Sequence, residues 1–183
     1  NSIAHRDYTI TSEVVIKQYP KKIIINNPGG FPRGVTIDNI LTVSSTPRSR
    51  LMTEVLEKTG LVERSGQGVD KIYSITLSEG KPEPNYRDSD FYQVTLKLDG
   101  TLEDKAFHVF INQIQAERSE EQKLGVQQII GLYNIKLGHF NKVKPEILSQ
   151  LEKEGLIVRS GAHAGTARFT LANIYYKMAS KAQ

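Results

Sequence analysis

Asn1 and His5 stand four residues apart, a spacing that puts both side chains on one face of a helix. An amide oxygen such as that of Asn1 suits a hard cation such as Mg²⁺, and His5 could orient a phosphate or a water. The structural alternatives are an amide that caps a neighbouring loop and a ring hydrogen-bonded to the adjacent turn. In His5-Arg6-Asp7-Tyr8, Asp7 and Tyr8 read as fixing a chain reversal. A second group is Asn27-Pro28-Gly29-Gly30-Phe31-Pro32. There Asn27 offers an uncharged acceptor, while Gly29 and Gly30 allow a sharp turn after a strand. In the third group, Gly66 and Gly68 open a helix whose first backbone N–H groups attract anions. Arg48, Arg50 and Arg64 flank it and are candidates for charge-assisted bonds to phosphate. A left-handed turn between two packed helices accounts for the same glycines equally well.

The elements that must position these groups are legible from pattern. β-Branched runs over residues 14–19 and 22–26 read as a hairpin around Pro20-Lys21, stopped by Pro28-Gly29-Gly30. Thr36 to Leu41 reads as a short helix with Thr36 as its N-cap. Leu51, Val55 and Leu56 mark a helix ended by Gly60, and a second helix runs from Val69. Residues 91–98 alternate as a strand does. Residues 1–99 thus read as a layered α/β sandwich.

The pattern changes after Asp99-Gly100. Three amphipathic helices are expected, over residues 102–115, 126–133 and 144–154. Two short strands, 156–160 and 167–171, follow them. Residues 173–183 form a tail expected to fray.

Composition excludes several chemistries. The chain of 183 residues has no cysteine, so disulfides, thiolate zinc sites and a cysteine nucleophile are ruled out. His5, His108, His139 and His163 are too scattered for zinc spacing. No Gly-x-x-x-x-Gly-Lys-[Ser/Thr] occurs, so a P-loop motor is absent. His-Arg-Asp here lacks the glycine-rich loop before it and the Asp-Phe-Gly after it that a protein kinase needs. No apolar run nears the roughly 20 residues of a membrane span. A cytoplasmic fragment of a longer protein, with no membrane partner, is the expectation. The net charge is +4, and residues 136–183 carry eight basic against three acidic side chains. That bias is a mild pointer to nucleic acid.

The three groups in this order resemble the C-terminal region of RecG-like ATP-dependent DNA helicases and Schlafen AlbA-associated regulators. That region lies within the histidine-kinase-type ATPase fold. The resemblance covers residues 1–98 through Asn1-x-x-x-His5-Arg6-Asp7-Tyr8, Asn27-Pro28-Gly29-Gly30-x-Pro32 and Gly60-Leu61-x-Glu63-x-x-Gly66-x-Gly68-Val69. It implies a nucleotide site at Asn1, His5, Asn27, Gly29, Gly30, Gly66 and Gly68, with Mg²⁺ near Asn1 and ATP as cofactor. Active members of the fold carry Asp-x-Gly-x-Gly where this chain has Asn27-Pro28-Gly29-Gly30-Phe31. The usual adenine-reading carboxylate is thus replaced by an amide, and the last glycine by Phe31.

Three helices followed by a hairpin is also the order of a winged helix-turn-helix domain, spanning residues 102–172. Its third helix would be the recognition element, with Asn141, Lys142, Lys144 and Gln150 facing DNA, and Arg159, His163 and Arg168 would lie on the wing. The fold class is therefore α+β, a truncated ATPase sandwich followed by a winged helix. The reading favoured is a DNA-binding transcription regulator fragment with a degenerate ATPase-type sensor. The alternatives are an ATP-binding or ATPase module, with catalysis confined to a longer protein, and a structural module that forms a homo-oligomer.

Overall fold

Val15–Tyr19 (β1) and Lys22–Pro28 (β2) pair antiparallel across Pro20-Lys21, with Tyr19 opposite Lys22. Gln93–Asp99 (β3) joins the other edge of β2, also antiparallel, to give the order β1-β2-β3. Successive side chains of a strand face opposite sides, and directly opposed residues share a side. Ile23, Ile25 and Asn27 therefore share a face with their partners Leu98, Leu96 and Val94. Asn27 is the polar exception among these six. Two helices lie between the hairpin and β3: Arg50–Lys58 (α1) and Gly68–Ser78 (α2). Ser49 caps α1 by accepting from the Met52 N–H.

The computed structural model describes residues 1–44, 46–62, 68–161 and 168–182. The protein is a mixed α and β chain with antiparallel sheets, in two compact units. The first comprises Asn1–Ile72 and Pro82–Thr101, and the second comprises Tyr73–Lys81 and Leu102–Gln183.

In the second unit, Lys105–Ala116 (α3), Val126–Lys136 (α4) and Pro145–Lys153 (α5) precede a hairpin of Ile157–Ser160 (β4) and Arg168–Leu171 (β5). Each boundary has a local cause. Asp104 caps α3 by accepting from the Phe107 N–H, and Pro145 opens α5, where its missing N–H costs nothing. Gly155 ends α5 with φ +69°, and the Leu156 N–H closes back onto the Leu151 carbonyl at 3.0 Å. The core gathers Phe107, Phe110 and Ile111 of α3, Leu132 of α4 and Leu151 of α5, all nearly inaccessible. Gly131 lets α4 approach α5 closely, since a Cβ there would stand 3.1 Å from the Ile147 methyl.

Two expectations are corrected. Residues 36–41 form turns rather than a helix. Asn39 Oδ1 accepts from the Thr36 N–H at 2.7 Å while its amide nitrogen donates to the Gly34 carbonyl, so the side chain competes for the bonds a helix would use. Nor do residues 173–183 begin as a frayed tail. Asn173–Ala182 is a helix (α6), and Tyr175 is buried with its ring edge-on to Phe110 at 5.4 Å. That aromatic burial supplies the stabilisation a free terminal helix lacks.

Candidate functional site

The end of β2 gathers most of the candidate groups. Gly29 has φ +89°, a conformation that side chains disfavour. A Cβ on it would stand 2.6 Å from Asp7 Cβ and 3.1 Å from Arg48 Nε. The glycine is therefore required both by its own backbone and by the two side chains packed over it. The Asp7 N–H donates to the Pro28 carbonyl at 3.0 Å, which docks the first segment onto the strand end. The Gly29 and Gly30 N–H groups donate to the Tyr92 and Phe91 carbonyls at 2.7 and 3.1 Å. The Gly29-Gly30 backbone is thus tied on both sides.

Arg48 is committed to this junction. Its guanidinium pairs with Asp7 at 3.2 Å and donates to the Gly30 carbonyl. Thr9 bonds hold the Asp7 carboxyl below the usual carboxylate range, the hydroxyl foremost and the backbone N–H next, with Arg48 adding to them. Arg50, the second phosphate candidate, is exposed and pairs with Glu54 one helical turn away. Arg64 and Gly66 lie outside the described residues.

Asn27 is 8% exposed, and its Oδ1 has no hydrogen-bond partner among the described residues. A buried acceptor left unpaired is costly and uncommon in a folded protein. Its neighbour Asn26 points to the other face, where its amide nitrogen donates to Thr95 at 3.0 Å and to Gln93 at 3.3 Å.

Asn1 and Gly68 form a second group. A Cβ on Gly68 would stand 2.5 Å from Asn1 Nδ2, so the bare glycine is what seats the Asn1 amide at the first residue of α2. His5 shares the tight turn, its N–H donating to the Asn1 carbonyl at 2.9 Å. Burial lowers the His5 imidazole from its ordinary value. The unfolded chain therefore takes up the proton first as pH falls. The stability that neutral His5 supports is complete above about pH 6.5 and is lost as pH drops from there towards the lowered folded value. Urea midpoints measured from pH 8 to 5 (roughly, either side of the imidazole range) are expected to fall below pH 6.5. His5→Asn is expected to flatten that fall; an unchanged profile in the variant would remove His5 from the account.

In the second unit, Asn141 and Lys142 lie in a short 3₁₀ turn over Phe140–Lys142, and Lys144 stands just before α5. Gln150 is on α5, Arg159 on β4 and Arg168 at the start of β5, opposite Ser160. All six are exposed. Lys142, Lys144, Arg159 and Arg168 make no ion pair among the described residues, while Glu146 shares the exposed first turn of α5. His163 lies outside the described residues.

Sequence reasoning missed the Asp7–Arg48 clamp, because the two residues are distant in sequence and only the chain path joins them. It also missed the polar row of Asn26, Gln93 and Thr95, for which strand register was the needed information.

Residues 11–98 match a family model described as putative ATP-dependent DNA helicase recG C-terminal. No curated protein matches the sequence. Among solved structures, the DIP2311 protein from Corynebacterium diphtheriae is similar in fold, with a TM-score of 0.76 at 21% identity. The similarity covers 97% of this chain and 40% of that one, so this chain spans well under half of its length. By motif and by family model alike, the segment 11–98 resembles the C-terminal region of the RecG-type ATP-dependent DNA helicase family.

Proposed function

We propose that the chain is a nucleotide-responsive regulatory module. Its first unit binds an adenine nucleotide without turning it over, and residues 102–172 form a winged helix-turn-helix that contacts duplex DNA. The observation that carries the nucleotide half is the buried Oδ1 of Asn27, unpartnered among the described residues, on the sheet face it shares with Ile23, Ile25, Val94, Leu96 and Leu98. The resembled ATPase fold places its adenine-amino acceptor at this position. An amide oxygen can accept the same bond, and a bound base would satisfy it. Asn1, seated at the start of α2, would hold the magnesium that accompanies the phosphates. Arg48 and Arg50 already have partners, so each must leave one to reach a phosphate. A site strong at the base and weakly armed at the phosphates favours sensing over catalysis.

Asn27→Leu tests this directly. Removing a buried unpaired acceptor is expected to stabilise the ligand-free chain by about 1–2 kcal/mol. The same change is expected to abolish the calorimetric heat of Mg-ATP binding. Equal heats from the variant and the parent would sink the nucleotide half.

Support for the DNA half comes from the six exposed polar side chains at and along α5 and on the hairpin, four of them cations with no ion pair among the described residues. A labelled duplex is expected to bind with an affinity that falls as salt rises. Changing Lys142 and Lys144 together to alanine should reduce the slope of log K against log salt by about 2, since each lost phosphate contact releases one counterion fewer. Absence of binding at low salt, or an unchanged slope, would overturn it.

A further inference from the structure

We propose that a small cavity on the sheet face opposite Asn27 binds a compact organic cation, carried as a primary ammonium or a guanidinium group. The cavity holds about 230 Å³ at the open end of β1 and β2. At about 30 Å³ per water that is room for roughly seven waters, or a small ligand. Glu13, Asn26, Tyr92 and Gln93 are among its polar and aromatic lining, and Val15 and Pro28 among its apolar lining.

The lining is biased towards a positive donor. Glu13 makes no hydrogen bond or ion pair among the described residues, so its carboxylate remains available. Asn26 is locked in one orientation because its amide nitrogen donates to both Thr95 and Gln93. That leaves Asn26 Oδ1 as a second acceptor. None of the lining residues is cationic. The Arg6 guanidinium beside the lining already donates to the Ser12 carbonyl at 2.7 Å, whereas the Glu13 carboxylate has no partner among the described residues, so an ammonium gains a charge-assisted bond there.

Tyr92 completes the arrangement. It is 80% exposed, yet its backbone is held at both ends. Its N–H donates to Asp90 Oδ1 at 2.7 Å, and its carbonyl accepts from Gly29 at 2.7 Å. A large ring on an anchored backbone, lining the same cavity as the Glu13 carboxylate, suits a cation, which gains from a ring face once partly desolvated. This site is independent of the nucleotide reading, because alternation along β2 puts Asn26 and Asn27 on opposite faces.

The test uses the full chain, ¹⁵N-labelled, with the side-chain NH₂ resonances of Asn26 and Gln93 as reporters. Titration with n-butylammonium is expected to shift both in a saturable way, and n-butanol to shift neither. Glu13→Gln is expected to weaken binding about tenfold. Tyr92→Leu should weaken it several-fold, without loss of the folded amide spectrum. A second titration uses Nα-acetyl-lysine methylamide. Tighter binding than n-butylammonium assigns the cation to a basic side chain of a peptide, and equal binding assigns it to a free amine. The proposal fails if the Asn26 and Gln93 signals do not saturate, or if Glu13→Gln binds as the parent does. Loss of ATP binding through Asn27→Leu leaves this result unchanged.

Discussion

Phe110→Ala is expected to remove about 4 kcal/mol from the stability of the second unit. Phe110 is 0% exposed, and its ring meets Phe107 at 6.2 Å and Tyr175 edge-on at 5.4 Å. Truncation removes the transfer free energy of the ring and leaves a cavity that helices on either side cannot close without shifting. The loss should extend to α6, whose Tyr175 would face that cavity. Urea unfolding followed by helical circular dichroism checks the magnitude, and exchange of the α6 amides checks the coupling. A loss below about 1 kcal/mol would mean that this cluster is not the core of the unit. Phe110→Leu, which keeps most of the volume, should recover the larger part.

Gly29→Ala is expected to cost the first unit about 3 kcal/mol. Two terms contribute. A side chain at φ +89° is strained by about 1–2 kcal/mol. The new methyl must also displace Asp7 and Arg48, which sit 2.6 and 3.1 Å from its position. Overpacking of that kind adds about 1–3 kcal/mol. Gly34→Ala separates the terms. Gly34 has φ +86° but nothing within 4 Å of a Cβ, so it should show the backbone strain alone. Equal losses at the two positions would mean that the Asp7–Arg48 clamp yields freely. Midpoint shifts in urea, read at β-sheet wavelengths, provide the comparison.

Both predictions bear on function. Gly29 holds the clamp against the strand end that carries Asn27, so loosening it should also weaken any nucleotide bound there. Phe110 lies on α3, away in sequence from the exposed cations of α5 and the hairpin. Its loss should lower stability while leaving the salt slope of duplex binding unchanged in the folded fraction.

How far these features could be read in advance depended on how local their causes are. The helix stops at Gly60 and Gly155 were legible because a positive φ is a property of one residue and its immediate neighbours. The hairpin around Pro20-Lys21 was legible because β-branched runs and a turn lie side by side in the chain. The same logic failed at residues 36–41, where Asn39 offered the backbone an equally local alternative to a helix. It failed again at residues 173–182, where the burial that holds α6 comes from a ring more than 60 residues earlier in the chain.

The candidate site divides in the same way. Its residue types and their spacing were present in the sequence: Asn27 ahead of two glycines, arginines in the following loop, and a glycine opening α2. Their states were not. Arg48 was a free phosphate ligand on paper and is a structural clamp in the fold, because Asp7 arrives beside it only when the first segment docks on Pro28. Asn27 was a weak substitute for a carboxylate on paper. In the fold it is a buried acceptor without a partner among the described residues, because strand register turns it to the face of Ile23 and Ile25 and turns Asn26 to the face of Thr95 and Gln93. By itself, then, the sequence determined the elements, their stops and the family resemblance of residues 11–98, all of which follow from local preference and short motifs. Only the tertiary structure decided which polar groups are spent on holding the fold and which are left without a partner among the described residues. That depends on desolvation and on contacts between segments far apart in the chain, which no local pattern encodes.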